Sequence, residues 1–80
     1  MEALRASERR VVGTKEVLRA IKAGTASRVY VANDVDTFLY QRIVRAAETA
    51  RIPVTRVERM KDLGEACGVQ VSAAAAAVIK

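Results

Sequence analysis

"VSAAAAAVIK", residues 71–80, is the stretch on which the fold turns. Five consecutive alanines carry the strongest intrinsic helix preference of any residue type. Against that, a segment of about ten residues is too short to hold itself helical without packing. A central strand covered by helices on both faces is served equally well, because small side chains let the helices come close. What precedes the tail decides between the two. Short β-branched runs alternate upstream with helical periods, which is the pattern of an α/β layered domain. Residues 74–79 are therefore expected to form a strand.

Working back from the tail, "MKDLGEACG" (60–68) reads as a short helix ending at Gly68, and "IPVTRVE" (52–58) as a strand with Pro53 at its start or edge, where no ladder donor is lost. Residues 36–51 read as a helix with Asp36 as N-cap and Phe38, Leu39, Ile43, Val44, Ala46, Ala47 and Ala50 turned inward. "SRVYVAND" (27–34) is a β-branched run closed by turn-forming residues. Residues 14–23 switch to helical period, with Val17, Leu18, Ala20 and Ile21 on one side and Gly24 placed to end the helix. "RRVVG" reads as a short strand and residues 2–8 as a short helix. The chain shows no repeat or linker, and residues 1–80 are expected to form one domain.

Composition supports a folded chain with a small-residue core: 51% of residues are apolar, 29% are charged and only 4% are aromatic. At 80 residues the chain buries only about 60% of its unfolded surface, so its patterning must be consistent throughout. The net charge is +5. Residues 1–30 hold seven Lys/Arg against three acids, and residues 31–80 seven against six. Four of the five net positive charges thus lie in the first 30 residues, and a basic domain is predisposed toward polyanions. The single cysteine, Cys67, excludes an internal disulfide and suits a reducing, cytoplasmic setting. No apolar run approaches the ~20 residues a membrane helix needs, and "MEALRASERR" lacks the apolar core of a signal peptide, so no membrane partner is expected.

Catalysis has little to stand on. The chain has no histidine, which removes the usual near-neutral base, and one cysteine without histidine makes no transition-metal ligand set. No cofactor and no metal are expected, and Cys67 reads as a small buried thiol. Asp34 and Asp36 are better explained by capping than by acid–base work. "GTKE" (13–16) lacks the spaced glycines of a phosphate-cradling loop. It does offer a helix N-terminus with free backbone N–H groups, and Lys15, Arg19 and Lys22 run back from that end as a basic stripe within about 60°. The stripe could neutralise phosphates while the tip reaches base edges; the same pattern also suits the solvated face of an ordinary amphipathic helix. Tyr30, Phe38 and Tyr40 do not make an interleaved stacking platform, and Phe38 reads as core.

Three segments taken in order, "GTKEVLRAIKAG", "VYVANDVD" and "MKDLGEACGVQVSAAAAAVI", resemble the kink-turn-binding ribosomal protein family of the L-seven-Ae type, which groups with ribosomal protein L-thirty-e and the growth-arrest proteins. The likeness runs from Val11 to Ile79 and is closest to short bacterial members. It implies an α-β-α sandwich around a mixed four-stranded sheet, and supports the tail as a strand. It also implies binding to RNA kink-turns, which are stems bent at an internal loop followed by tandem sheared G·A pairs. The family pattern Gly-x-Asn-Glu-x-x-Lys falls here on Gly13, Thr14, Lys15, Glu16, Val17, Leu18 and Arg19. Lys15 stands where the family has asparagine; it can donate to guanine acceptors as a flexible point charge rather than a planar amide. Glu16 would accept a proton from a guanine edge, with Arg19 and Lys22 as phosphate partners. The loop before the last strand, Val69-Gln70-Val71-Ser72, would cover an extruded nucleotide, with Val71 as the cover and Val69 packing inward; it lacks the proline many relatives carry. Asp34 would orient Lys or Arg side chains.

The expectation is a monomeric, non-enzymatic RNA-binding module, possible targets being ribosomal RNA, a riboswitch stem or a small RNA, with no DNA partner and with a setting in the cytoplasm or at the ribosome. The competing reading is a protein-interaction module on the same fold with only non-specific RNA affinity. A ribose-methylating enzyme is a distant third, because the chain has neither the residues nor the length for a cofactor site.

Overall fold

The computed structural model describes residues 9–69 and 72–80. The helix expected over 2–8, and Gln70 and Val71 of the expected binding loop, lie outside the described residues. The elements in chain order are β1 (Arg10–Val12), α1 (Thr14–Ala23), β2 (Ala26–Ala32), α2 (Thr37–Thr49), β3 (Val54–Val57), α3 (Met60–Ala66) and β4 (Ala75–Ile79). The strands form one mixed sheet in the order β1-β4-β2-β3. β4 is antiparallel to both its neighbours, with Val11 opposite Ala77 on one side and Tyr30 opposite Ala76 on the other. β2 and β3 are parallel, Val29 pairing with Val54 and Val31 with Arg56.

The tail is thus a strand, and its position explains its composition. Ala75, Ala76 and Ala77 are 0% exposed although they alternate between faces. Ala75 and Ala77 face a core made with Val17, Ala20 and Ile21 of α1 and Ile43 and Ala47 of α2. Ala76 faces the other way, into a second core with Tyr30, Leu63, Ala66 and Cys67. Helices cover both faces of β4, so context overrides the helix propensity of alanine. The result is a three-layer sandwich with α1 and α2 on one face and α3 on the other. Its largest fully buried side chains are Ile43, Leu63, Val17, Val29 and Val31. Burial of each contributes about 1.5–3 kcal/mol.

Helix boundaries follow local chemistry. Gly24 caps α1 in the left-handed conformation (φ 75°), its N–H reaching the carbonyls of Ala20 and Ile21. Asp36 caps α2, Oδ1 accepting from Phe38 N–H at 3.4 Å. Pro53 immediately precedes β3, and its carbonyl accepts from Val29 N–H at 2.9 Å. α2 ends at Thr49 rather than at residue 51, because Arg51 itself takes the left-handed conformation (φ 57°) and Ile52 N–H returns to Ala47 O at 2.8 Å.

Two inward assignments on α2 are corrected. Phe38 is 81% exposed, and Ala50 is exposed as well. At about 100° per residue, Phe38 lies roughly opposite Ala47, one of the two residues that define the buried side, while Ala50 is the C-cap beyond the last turn. Helical phase, not residue type, decides burial here.

Cys67 is buried, as expected of a structural thiol. Burial pushes its pKa up, and the nearby Arg10 guanidinium opposes that shift. Arg10 also donates to the Cys67 carbonyl from Nη2 (3.0 Å) and Nε (3.3 Å), tying the end of α3 to the edge strand β1.

The packing of β4 sets a limit on side-chain size. Ala77→Leu is expected to destabilise the fold by about 1–3 kcal/mol through overpacking. In a domain this small that lowers Tm by roughly 4–8 °C per kcal/mol. An unchanged melting curve would show that β4 is not clamped between helices.

Candidate nucleic-acid interface

The site starts from one backbone conformation. Gly13 joins β1 to α1 at φ 102°, ψ 150°, a region essentially reserved for glycine. Its N–H donates to Ala75 O at 2.8 Å, and its carbonyl accepts from Val17 N–H at 3.0 Å. Gly13 therefore belongs to the sheet on one side and to the helix on the other. As N-cap it supplies no side-chain acceptor, and no side-chain cap bond is made there. Among the described residues, no side chain caps the first-turn N–H groups of α1, which lie at the positive end of the helix dipole.

Strand directions place the ends of β1, β2 and β3 and the start of β4 along one edge of the sheet. Ala32 N–H donates to Ala74 O (3.0 Å), Asn33 N–H to Val57 O (2.7 Å) and Ala73 N–H to Met60 O (3.0 Å). All three described helices begin at this edge. The tip of α2 is taken by the Asp36 carboxylate. The tip of α3 is taken by Asp34, whose Oδ1 accepts from Met60 N–H at 2.8 Å. The two carboxylates each satisfy a helix start, whereas Glu16, the acid in the first turn of α1, makes no cap hydrogen bond there. An incoming anion or base acceptor finds its donors there.

Lys15 and Glu16 are exposed in the first turn of α1, and Thr14 is half-buried. Arg19 Nη1 stands 3.5 Å from Glu16 Oε1. Their side chains are 66% and 48% exposed, and an exposed i,i+3 pair is worth only about 0.3–0.5 kcal/mol. The pair orients Glu16 without committing it, so both groups stay available to a partner. Lys22 is exposed further along the helix, where it borders the groove between α1 and α2.

The structure thus brings together Gly13, Thr14, Lys15, Glu16 and Asp34, with Ser72 exposed just before the Ala73–Ala75 anchor. Arg19 and Lys22 lead away from the edge along α1. Val69 packs inward against the α3 core, its N–H on Gly64 O at 3.1 Å. Asp34 is a cap, as read for Asp34 and Asp36 together, and its partner among the described residues is the backbone N–H of Met60 rather than the Lys or Arg side chain the resemblance implies. Asp34 and Met60 lie 26 positions apart, so no local pattern signals the contact. Arg59 and Lys61, exposed at the start of α3, add cations to the same edge, and the sequence reading misses them. Their signal is position, flanking the first residue of a helix that starts at this edge. Tyr30 is buried, and Tyr40 lies under Arg56, whose guanidinium carbon is 5.9 Å from the ring centroid, so neither offers a free stacking face at the tip of α1.

Fold and site together define the class, a small three-layer α/β module presenting an open, cation-bearing edge. Comparison with known proteins makes this specific. The model of the ribosomal protein L7Ae/L30e/S12e/Gadd45 family matches residues 1–80, and the chain belongs to that family. It is 50% identical to an RNA-binding protein of Geobacillus sp. (strain WCH70) over 70 residues, 88% of this chain and 85% of that one. It is 47% identical, with the same coverage, to the RNA-binding protein YbxF of Geobacillus stearothermophilus. The Giardia lamblia 15.5kD RNA binding protein matches in structure with a TM-score of 0.84 at 27% identity, over 91% of this chain and 62% of that one. A Bacillus halodurans protein of unknown function gives the same TM-score at 23% identity, a likeness of fold alone.

The glycine at the junction can be tested directly. A Cβ at Gly13 would meet nothing within 4 Å, so any cost of Gly13→Ala is backbone strain rather than a clash. That cost is expected to be about 1–3 kcal/mol in denaturant unfolding. Stability equal to the parent would mean that the tip does not need this conformation.

Proposed function

We propose that this protein is an RNA-binding module that recognises and stabilises kink-turns. The observation that carries the reading is the α1 tip: a helix start with no side-chain cap among the described residues and with Lys15 and Glu16 exposed on it, hydrogen-bonded through Gly13 to the segment that leads out of the 69–72 loop. In this reading the tip enters the widened groove at the sheared pairs. Lys15 donates to guanine N7 or O6, and Glu16 accepts from a guanine N–H. A carboxylate facing phosphates is repelled, so Glu16 fits best where a base donor meets it. Arg19 and Lys22 supply cations to the compressed backbone, where two phosphate runs approach each other. Val71 and its neighbours would cover the extruded nucleotide. The RNA interconverts between straight and bent forms, and binding favours the bent one by the difference in affinity for the two. This is a binding function with no chemical step, exercised by a monomer in the cytoplasm.

Family membership and the relatives described as RNA-binding proteins support the RNA partner. The G·A selectivity rests on Lys15 and Glu16. A gel shift comparing a kink-turn stem with the same stem carrying Watson–Crick pairs in place of the G·A tandem, at two salt concentrations, tests it. Tighter binding to the kink-turn at both salts is expected; equal affinity for the two stems would end the specific reading.

The two halves of the site should also separate in their response to mutation. Lys15→Glu is expected to reduce kink-turn affinity by more than about tenfold and to erode discrimination between the stems. Arg19→Glu is expected to weaken both stems alike and to lower the salt slope by about one. If both variants bind as the parent does, the tip of α1 is not the contact.

A further inference from the structure

We infer that the trough between α1 and α2 is a docking site for an acidic amphipathic segment of a protein partner, separate from the α1 tip. Leu18, Ile21, Ala46 and Ala50 form its apolar floor, and Lys22 and Arg45 stand at its rims. Its volume is about 360 Å³, at the lower end of the ~300–1,000 Å³ typical of ligand sites. Both charged residues lining it are cations, one from each helix. Arg42, exposed one turn before Ala46, extends the positive side. Glu48, the acid of α2, lies about 160° around the helix from Ala46 and so faces elsewhere.

An apolar floor between cationic walls selects its occupant. A phosphate backbone laid along it would meet Lys22, Arg45 and the Thr49 hydroxyl only at the sides and would lose hydration over Leu18, Ile21, Ala46 and Ala50, and no aromatic ring lines the floor to stack a base. A segment with aliphatic side chains at helical spacing and Asp or Glu beside them satisfies both parts at once. The aliphatic groups fill the trough, and the carboxylates meet Lys22 and Arg45. Docking here does not depend on the RNA reading: Lys22 is the one lining residue shared with the α1 stripe, and the rest of the trough lies along the two helices away from the sheet edge.

The test uses the full chain and a defined probe, a 14-residue helical peptide with leucines every third and fourth position flanked by glutamates. Its binding is followed by fluorescence anisotropy and by amide shifts in 15N-labelled protein. The leucine peptide is expected to bind and to shift amides in residues 18–22 and 45–50. A peptide of equal charge with serines for leucines should bind at least about tenfold more weakly. Arg45→Glu should weaken the leucine peptide about fivefold. Ala50→Glu, at an exposed position that leaves the fold intact, should weaken it further by placing a carboxylate in the trough. Equal binding of both peptides, shifts mapping to the α1 tip, unchanged binding by both variants, self-association through the trough in place of peptide binding, or a 12-nucleotide RNA that itself shifts the amides of residues 45–50 would each overturn the assignment.

Discussion

The thickness of β4 is the constraint on which everything else depends. β4 is hydrogen-bonded on both edges and covered on both faces, and at Ala75, Ala76 and Ala77, each fully buried, the helices stand too close for a longer side chain. The small residues bring α1 against the sheet closely enough that Val17 and Ile21 become fully or nearly fully buried. With only three aromatics in the chain, close approach substitutes for bulk: many short contacts among Ala, Val, Ile and Leu give the density that larger cores obtain from rings.

The same strand sets where the helix starts gather. Because β4 runs against both β1 and β2, the ends of those strands fall at its beginning, and the helices that follow β1, β2 and β3 all start there. Three aligned helix starts would concentrate partial positive charge along one edge. Asp36 and Asp34 offset two of them. The third, at α1, has no side-chain cap among the described residues and carries Glu16 beside Lys15, with Arg19 paired to that carboxylate behind them. On the proposed function, selectivity at such an edge would depend as much on the carboxylates that cap the other two tips as on the lysine at α1.

Features governed by neighbours in sequence are legible in the residues themselves. The caps at Gly24 and Asp36 follow from local backbone and side-chain chemistry, and the alternation of periods places β4 correctly despite its alanines. The resemblance supplies the family, while the independent reading of the residues supplies the layers. Contacts between distant positions are not legible. Asp34 closes a helix 26 residues away, and Arg10 holds a carbonyl 57 residues away. Phe38 is missed for a different reason: apolarity outweighs helical phase in reading the first turn of α2. The end of α2 is hidden because Arg51 takes a conformation that glycine or asparagine normally signals. The trough between α1 and α2 belongs to neither helix alone, so no single periodicity reveals it.

The outer strands of the sheet carry a consequence for behaviour at high concentration. β1 spans three residues and begins at an exposed arginine; β3 spans four, follows a proline and carries Arg56 exposed. Short borders punctuated by proline and guanidinium groups are poor templates for an additional strand from another chain. The apolar run of β4, which as an isolated peptide would be a sticky sequence, is held in the interior of the sheet between them. The molecule therefore keeps its most aggregation-prone segment inside and gives its borders to the residues least able to recruit it.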